Sequence, residues 1–373
     1  MKAEYSGEVM TLNMGPQHPS THGVLRLELK TDGEIVADAV PHIGYLHRCF
    51  EKHAENIDYA GVVPYTDRMD YCAAMNMELG YVLAVEKLMG IQVNNRVRCI
   101  RIIMSELNRI ASHLIAAGTF GNDMGSFTPF LWCFRDRETI LDLFEETCGA
   151  RLLYNYIWIG GLMVDFKPGF EKKVIDFIDY FEPQVDNLNR LLSDNYIFIK
   201  RTAAVGILSP ETAINYGVTG PNLRGSGVKF DVRKDEPYSG YEDYDFEVPV
   251  GQGEYGPVGS CWDRYMVRIR EVKESCKIIR QAVAKLTPGD VHESVPKRVK
   301  PPAGELYMRT ECPRGELGYY IISDGSVKPY RIKVKSPCFT AMAAFRDVSR
   351  GVMIADIIAI LGSFDIVLGE IDR

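Results

Sequence analysis

Alternating apolar and polar positions predict short antiparallel strands near both ends of the chain. Leucines occupy alternate positions of Val24–Lys30, and Ile35–Val40 follows after a turn that contains Asp32 and Gly33. This pattern is typical of a β-hairpin. A second hairpin is predicted where Tyr319–Ile322 and Tyr330–Val334 flank a Ser-Asp-Gly-Ser turn.

Apolar residues spaced by three and four positions predict helices between the two hairpins. The clearest are Arg96–Ala117 and Thr128–Cys148, the second with Gly149 just beyond its end. Another is capped by Thr66 or Asp67 and ends at Gly90, and further helices are expected at about 170–194, 262–286 and 350–361. The prediction is an α+β fold in a single domain, 1–373, made of an N-terminal β region (1–60), a central helical core (61–290) and a C-terminal β/α region (303–373).

Composition and charge narrow the class of protein. The 373 residues are 46% hydrophobic and 25% charged, which is typical of a globular chain. A formal net charge of −7 argues against a surface that follows a phosphate backbone. We therefore expect no nucleic-acid partner.

The most apolar stretch, Gly351–Gly369, contains Asp356 and Asp365, both costly at a bilayer centre. It is interpreted as a buried helix followed by a strand. The N-terminal segment has no apolar core of the kind that a secretory signal needs. We expect a protein of the cytoplasm or of the cytoplasmic face of a membrane.

The chain contains nine cysteines, and no two of them form a CxxC pair. An odd number of scattered cysteines fits reduced thiols better than a disulfide framework. Without a local pair of thiolate ligands, we expect no zinc ion or iron–sulfur cluster held by this chain alone.

Two histidines stand in a proline-containing loop just before the first hairpin, MGPQHPSTHG, at positions 18 and 22. The prolines exclude a helix there, so His18 and His22 do not share a helical face. The loop is either a rigid entry to the strand, with hydrogen-bonded imidazoles, or a stiff support that points one imidazole into a cavity.

A second cluster combines Arg48 with Arg68 and Tyr71 of PYTDRMDY. An arginine fork binds anions or carboxylates, and a phenol near the start of a helix could donate to a developing oxyanion. Tyr71 is expected in the first turn or two of the helix that Thr66 or Asp67 caps. The alternative is a set of capping and ion-pair contacts without a catalytic role.

A third group lies in the predicted helix at Arg96–Ala117 and in the loop after it. Glu106, Arg109 and His113 are spaced by three and four and form one polar stripe, which is more often a buried structural network than a catalytic one. Asp123 lies between glycines in the predicted loop, where the local sequence makes it a turn residue.

Long motifs along almost the whole chain resemble one family. The chain is similar to the 49 kDa-type (D) subunit of respiratory complex I in MGPQHPSTHGVLRL, PHIGYLHR, PYTDRMDY, ELNRIASHL, GPNLRGSGV, RGELGYYIISDG and the terminal GEIDR. That family resembles the large subunit of nickel–iron hydrogenases, whose nickel requires two CxxC pairs. The resemblance therefore implies a hydrogenase-like fold without the metal, whose cavity serves the reduction of a quinone.

The resemblance also implies roles for individual residues. The quinone head-group ligands correspond to His22 and Tyr71, and Asp123 corresponds to the acid that the family couples to His22. Arg48 and Arg68 match the arginines near an iron–sulfur cluster of a neighbouring subunit. The implied partners are the B, C and I subunits of complex I and its membrane-embedded H subunit, at the cytoplasmic side of the bacterial inner membrane.

Two departures from the family pattern modify this expectation. Leu153 and Trp158 stand where many members have a histidine and an arginine near the cluster, so we expect a lower and nearly pH-independent cluster potential, which favours menaquinone. The segment Val291–Gly304, which overlaps the proline-rich joint Thr287–Pro302, is shorter than the corresponding joint of the family.

Other functions remain open from the sequence. One is a non-catalytic scaffold subunit of a related hydrogenase-like membrane complex. Another is an active hydrogenase large subunit, which the missing CxxC pairs disfavour. Electrons could arrive from NADH or from a ferredoxin, because that input lies on other subunits.

Overall fold

The computed structural model describes residues 9–17, 23–296 and 298–373. The strands are β1 (Met10–Met14), β2 (Arg26–Asp32), β3 (Ile35–His42), β4 (Ile157–Trp158), β5 (Gly161–Leu162), β6 (Gly304–Cys312), β7 (Gly315–Ser323) and β8 (Arg331–Lys335). The first helices are α1 (Phe50–Ala54), α2 (Tyr59–Thr66), α3 (Ala74–Met89), α4 (Asn95–Asp123), α5 (Phe127–Cys148) and α6 (Phe170–Leu188), with a π-helical turn at Asn189–Ser193. The others are α7 (Tyr196–Thr202), α8 (Pro210–Asn215), α9 (Gly220–Gly225), α10 (Val232–Asp235), α11 (Cys261–Ala284), α12 (Pro337–Val348), α13 (Ile354–Phe364) and α14 (Leu368–Asp372), with a 3-10 turn at Tyr241–Asp243.

An antiparallel sheet in the order β1-β2-β3 contains the first predicted hairpin and confirms it. Leu27 and Leu29 are fully buried on one face of β2, as their alternation predicts. The outer edge of β3 is covered by the chain before α13, because Val36 donates to the carbonyl of Val352 at 2.8 Å and accepts from Gly351 at 2.8 Å. The sheet is thereby tied to the C-terminal part of the chain.

A second antiparallel sheet has the order β6-β7-β8. The pairing of β7 with β8 confirms the second predicted hairpin, whereas the alternation pattern did not predict β6. The sheet packs against α3 at Gly80, where an added Cβ would lie 2.8 Å from Thr310 Oγ1. Only a residue without a side chain allows this close approach.

In chain order, helices α1 to α11 lie between the two three-stranded sheets. The 29-residue α4 is buried over most of its length among α3, α5, α11 and α13. The predicted ends of α3 and α5 are confirmed, since Gly90 and Gly149 adopt left-handed backbone at φ 68° and 75°. The joint Thr287–Pro302 contains no helix among its described residues.

Several boundaries differ from the prediction. Helix α3 begins at Ala74, so Thr66 ends α2 and Tyr71 lies in the turn between the two helices. The physical reason is that Asp67 and Asp70 are buried and bind tertiary partners, so neither caps α3. Helix α4 continues to Asp123, which is therefore a helix end and not a residue of a loop.

The glycines after Ala117 do not interrupt α4, because neighbouring segments pack on them. An added Cβ on Gly118 would lie 3.2 Å from Cys133 Cβ, and one on Gly121 would lie 3.0 Å from Leu192 Cδ2. These glycines permit close helix packing. The local sequence alone indicated a turn.

The apolar C-terminal stretch forms two helices. The predicted helix is present as α13, but the predicted strand is wrong, because residues 368–372 form α14 after a left-handed Asp365 at φ 52°. Among the described residues, no helix combines the length and apolarity that crossing a membrane requires. All nine cysteines are free thiols.

Candidate functional site

Tyr71 lies half-buried in the turn that joins α2 to α3. The turn is closed by Asp70, whose Oδ1 accepts a hydrogen bond from the Cys72 backbone amide at 3.1 Å. Burial raises the pKa of Tyr71, with the neighbouring Cys72 adding to the effect. The phenol is therefore a neutral hydrogen-bond donor at physiological pH.

A buried arginine, Arg314, holds the Tyr71 turn in place through an ion pair. Arg314 Nη1 lies 2.6 Å from Asp70 Oδ2, and Nη2 lies 3.2 Å from Asp365 Oδ1. Arg314 Nη1 also donates to Ser112 Oγ at 3.0 Å. One guanidinium thus joins the Tyr71 turn, α4 and Asp365, which directly follows α13. In the sequence, this arginine belongs to the RGELG motif but had no assigned role.

Glu370 is a further residue that the sequence pattern did not single out. It is fully buried beside Cys338, and burial, reinforced by the charge of Asp70, raises its pKa to about 8. Asp70, Arg314 and Cys338 act electrostatically on both Glu370 and Tyr71. A carboxyl that is protonated near neutral pH therefore lies in the surroundings of the phenol. In the sequence, only the position of Glu370 in the terminal GEIDR motif indicates a functional role.

The C-terminal helix α14 brings two of the predicted motifs together. A Cβ on Gly369 would lie 2.7 Å from the carbonyl oxygen of Met69, two residues before Tyr71. A Cβ on Gly23 would lie 3.1 Å from Leu368 Cδ1. The residue after His22 and the Tyr71 turn thus both contact α14. His22 itself, like His18, lies outside the described residues.

Asp123 contacts α13, the helix that precedes α14 in the chain. It ends α4, and its Oδ2 is 3.2 Å from the position that a Cβ on Gly362 of α13 would occupy. Helix α13 leads through Asp365 directly into α14. Residues 362–370, which we call the C-terminal segment, therefore contact Asp123, Gly23 and the Tyr71 turn.

Arg48 and Arg68 are both exposed and lie next to the Tyr71 turn. The Arg48 guanidinium donates to the carbonyl oxygen of Arg68, and the Arg48 amide donates to the carbonyl of Arg373 at 3.0 Å. The sequence placed the two arginines 20 residues apart. The fold makes them one cationic surface patch.

A surface cavity of about 440 Å³ opens beside this patch, lined by His47, Cys49, Glu51, Lys333, Phe339 and Asp372 among others. Asp372 shapes its floor, because its carboxylate accepts hydrogen bonds from the amides of Gly44 at 2.8 Å and Leu46 at 2.7 Å. The last turn of the chain thereby holds the segment that carries Arg48.

The polar stripe of α4 forms a buried network, as the structural interpretation predicts. Glu106 accepts hydrogen bonds from Arg109, Arg233, Tyr241 and Ser275. His113 Nε2 lies 3.0 Å from Glu271 Oε2. Across the described ranges, no group of three or more His, Cys, Asp or Glu side chains could hold a metal ion.

The chain matches a family described as the respiratory-chain NADH dehydrogenase 49 Kd subunit, over residues 123–301 and 292–373. This is a class of hydrogenase large-subunit-like α+β proteins. Curated relatives named as the D subunit of NADH-quinone oxidoreductase include one from Chlorobium luteolum, 56% identical over 377 residues, which cover 100% of this chain and 95% of the relative. One from Chlorobaculum parvum is 58% identical over 370 residues, covering 98% and 92%. The chain therefore belongs to the 49 kDa subunit family of the respiratory-chain NADH dehydrogenase.

Proposed function

We propose that this chain is the quinone-reducing core subunit of a proton-translocating complex I. It forms the quinone chamber together with the B subunit, which carries the terminal iron–sulfur cluster, and with the membrane-embedded H subunit, and it assembles with the C and I subunits. The observation that carries this proposal is the convergence of Tyr71, the residue after His22, and Asp123 on the C-terminal segment. NADH is the electron source in the relatives' names; a ferredoxin is the alternative input.

The chemistry requires two donors. Two-electron reduction of a quinone places negative charge on two oxygens, and each oxygen needs a hydrogen-bond donor that can also deliver a proton. The phenol of Tyr71 serves one oxygen and the imidazole of His22 serves the other. A change in the charge of His22 alters its attraction for Asp123 and so transmits the state of the quinone into α4 and α13.

Arg48 and Arg68 supply positive charge towards the cluster of the neighbouring cluster-bearing subunit. The exposed patch that they form fits a surface that another subunit covers, since the Arg48 guanidinium reaches the backbone of Arg68 and positive charge favours an added electron nearby. Leu153 and Trp158 add no positive charge on that side, which lowers the cluster's potential and favours menaquinone as the acceptor. The chain is peripheral, on the cytoplasmic side of the bacterial inner membrane.

The test is the quinone-reductase rate of the purified complex with a short-chain quinone. Tyr71→Phe and His22→Ala should each leave the complex assembled and lower turnover by about a hundredfold, the usual loss for a donor that faces developing charge. Tyr65→Phe is the matched control, because Tyr65 is an exposed phenol of the same segment. It should retain the wild-type rate.

Wild-type rates in both variants would contradict the assignment. They would favour the second function, a scaffold subunit of a related hydrogenase-like complex. Metal analysis of the complex addresses the hydrogenase alternative, since stoichiometric nickel would support a hydrogenase.

A further inference from the structure

Two buried carboxyl groups, those of Asp67 and Glu78, lie close together next to Arg68. Asp67 follows the last residue of α2 and Glu78 lies in the first half of α3, and both are fully buried. Their carboxyl groups bind the successive backbone amides of Asn155, Tyr156 and Ile157, and they therefore lie next to each other. Two buried acids placed in this way favour a proton on one of them, because a protonated carboxyl can donate to the other, whereas two carboxylates have only acceptors.

The pair accepts hydrogen bonds from the backbone of one segment. Asp67 Oδ2 accepts from the amide of Asn155 at 3.0 Å, and Glu78 Oε2 accepts from the amides of Tyr156 at 2.9 Å and Ile157 at 2.6 Å. Neither Asp67 Oδ1 nor Glu78 Oε1 has a hydrogen-bond donor among the described residues. The carboxyl pair therefore anchors the segment that begins just after Leu153.

One cation approaches the pair in the described part of the chain. Arg68 Nη1 lies 4.0 Å from Asp67 Oδ2, and its side chain is 46% exposed, so water weakens its effect. The other titratable groups that face the pair come from α5, the segment after it and β7, and are Cys148, Tyr154, Tyr156 and Tyr319. Burial raises the pKa of each of these four groups, so they are neutral at physiological pH.

Two negative charges in contact at this site would be strongly unfavourable. Burial raises the pKa of Glu78 well above its usual range, and the contact with Asp67 raises it further; burial also raises the pKa of Asp67. Burial and mutual repulsion therefore both favour one shared proton on the pair.

Glu86, on the same helix, also accepts a hydrogen bond from a backbone amide, but its charge is balanced by a cation. It lies two turns beyond Glu78 on α3, is buried, and accepts from the amide of Gly160 at 2.7 Å. Its counter-charge is Arg101, which donates two hydrogen bonds at 2.9 Å and 2.6 Å. An ion pair is thus sufficient to hold this kind of backbone segment. Glu78 has the acid Asp67 as its neighbour in place of a cation, so this site favours a bound proton.

We propose that Asp67 and Glu78 form a proton-binding site whose occupancy responds to negative charge arriving on the far side of Arg68. The inference rests on the proposed function, in which that charge is the electron on the cluster of the neighbouring subunit. When one electron enters the cluster from the NADH side, the ionised member of the pair takes up a proton from water. When the electron leaves to quinone, the proton is released to water, and the pair returns to one shared proton.

The consequence is a cluster potential that falls as pH rises, because proton uptake and electron uptake favour each other. This differs from the expectation drawn from Leu153 and Trp158 alone, neither of which can take up a proton. The carboxyl pair was not apparent in the sequence, where Asp67 is interpreted as a helix cap.

The experiment is a redox titration of that cluster in the intact complex, followed by electron paramagnetic resonance at several pH values. The wild-type potential should fall with rising pH. Glu78→Gln and Asp67→Asn should each lose most of this dependence, because an amide supplies the hydrogen bonds of a protonated carboxyl but cannot titrate. Glu86→Gln is the matched control and should retain the wild-type slope.

Infrared difference spectroscopy of the wild-type complex, reduced minus oxidised, gives a readout that needs no variant. It should show a deuterium-sensitive carbonyl band of a protonated carboxyl. A pH-independent wild-type potential, absence of this band, or wild-type slopes in both pair variants would overturn the proton site. A complex that shows neither a cluster signal nor quinone reduction would instead overturn the proposed function.

Discussion

At the scale of single residues, the Tyr71 turn combines a phenol with buried charged groups that control it. Arg314 holds Asp70 at 2.6 Å and so fixes the backbone on which Tyr71 stands. The pKa of Glu370, at about 8, leaves this carboxyl protonated at neutral pH. Under the proposed function, the Tyr71 phenol thus has a proton-bearing carboxyl in its surroundings, and the Arg314 guanidinium can stabilise the charge that proton transfer would leave behind.

Asp123→Asn should impair quinone reduction less than His22→Ala. Asn preserves shape and hydrogen bonding at the end of α4 but removes the charge that responds to His22. We expect a rate loss of about tenfold, compared with about a hundredfold for His22→Ala. The measurement is the turnover and the KM for a short-chain quinone.

The control for this variant is Asp186→Asn, at an exposed aspartate that pairs with Lys273 on the surface. It should leave both parameters unchanged. Complete loss of quinone binding in Asp123→Asn would show that Asp123 is a ligand or a structural group and does not act through charge coupling.

At the scale of elements, the C-terminal helix α14 positions both the cationic patch and the site. Asp372 accepts from the amides of Gly44 and Leu46, and its backbone carbonyl lies 2.7 Å from His47 Nδ1. The segment that carries Arg48 is therefore held by a five-residue helix far away in sequence. Displacing α14 would move the patch and the contacts of the Tyr71 turn together.

Asp372→Ala should lower the temperature at which the complex loses quinone-reductase activity. The change removes two hydrogen bonds from backbone amides to a carboxylate, each worth about 1.5–3 kcal/mol. Asp372→Asn, which retains one acceptor oxygen, should have an intermediate effect. The control is Asp347→Ala, at a partly exposed residue of α12 that contacts Tyr216 and Arg350.

If the complex with Asp372→Ala lost quinone-reductase activity at the same temperature as the wild type, the anchoring role of α14 would be refuted. An effect of Asp347→Ala as large as that of Asp372→Ala would show that any lost surface carboxylate suffices. The ordering of Ala, Asn and wild type is the decisive result.

At the scale of the whole molecule, a buried network of charges joins the helical core to the C-terminal sheet. Arg224 of α9 lies 2.7 Å from Glu271 of α11 and 2.8 Å from Glu311 of β6, and Arg233 lies 3.2 Å from Glu106 of α4. Removing one member would leave an unpaired buried charge, which typically costs about 3–5 kcal/mol. The network therefore requires all these elements to assemble together.

His113 gives this network a pH dependence. Burial lowers its pKa, although the contact with Glu271 opposes the shift. The folded chain keeps His113 neutral at a pH where the unfolded chain protonates it, so unfolding takes up a proton. The stability contribution of His113 falls as pH drops below about 6.5, by up to about 1.4 kcal/mol per pH unit, until the pH reaches its folded pKa.

We therefore expect the inactivation temperature of the complex to fall less steeply between about pH 7 and pH 5.5 in His113→Gln than in the wild type. Gln retains a donor for Glu271 but does not titrate. Glu311 acts in the opposite direction, because its raised pKa of about 7 removes stability as pH rises; the difference between wild type and variant isolates His113. His53→Gln, at an exposed histidine, is the control. Equal slopes in wild type and His113→Gln would contradict the role of His113.

Local sequence signals were sufficient to predict several strands and helix ends. Alternating leucines specify β2, and glycines at 90 and 149 end α3 and α5, because period and left-handed backbone are properties of neighbouring residues. The long motifs also determined the family, and with it the candidate residues. The polar stripe of α4 indicated a buried network but not its partners.

The surroundings of the candidate residues depend on contacts between distant parts of the chain. Asp67 is a predicted helix cap in the sequence, yet its carboxyl is buried against Glu78 and the segment after Leu153. Glycines at 118 and 121 indicate a loop, yet packing against α5 and Leu192 keeps them helical and places Asp123 at a helix end. Burial, counter-charges and close backbone approach arise between residues distant in the chain, so local pattern could not contain them.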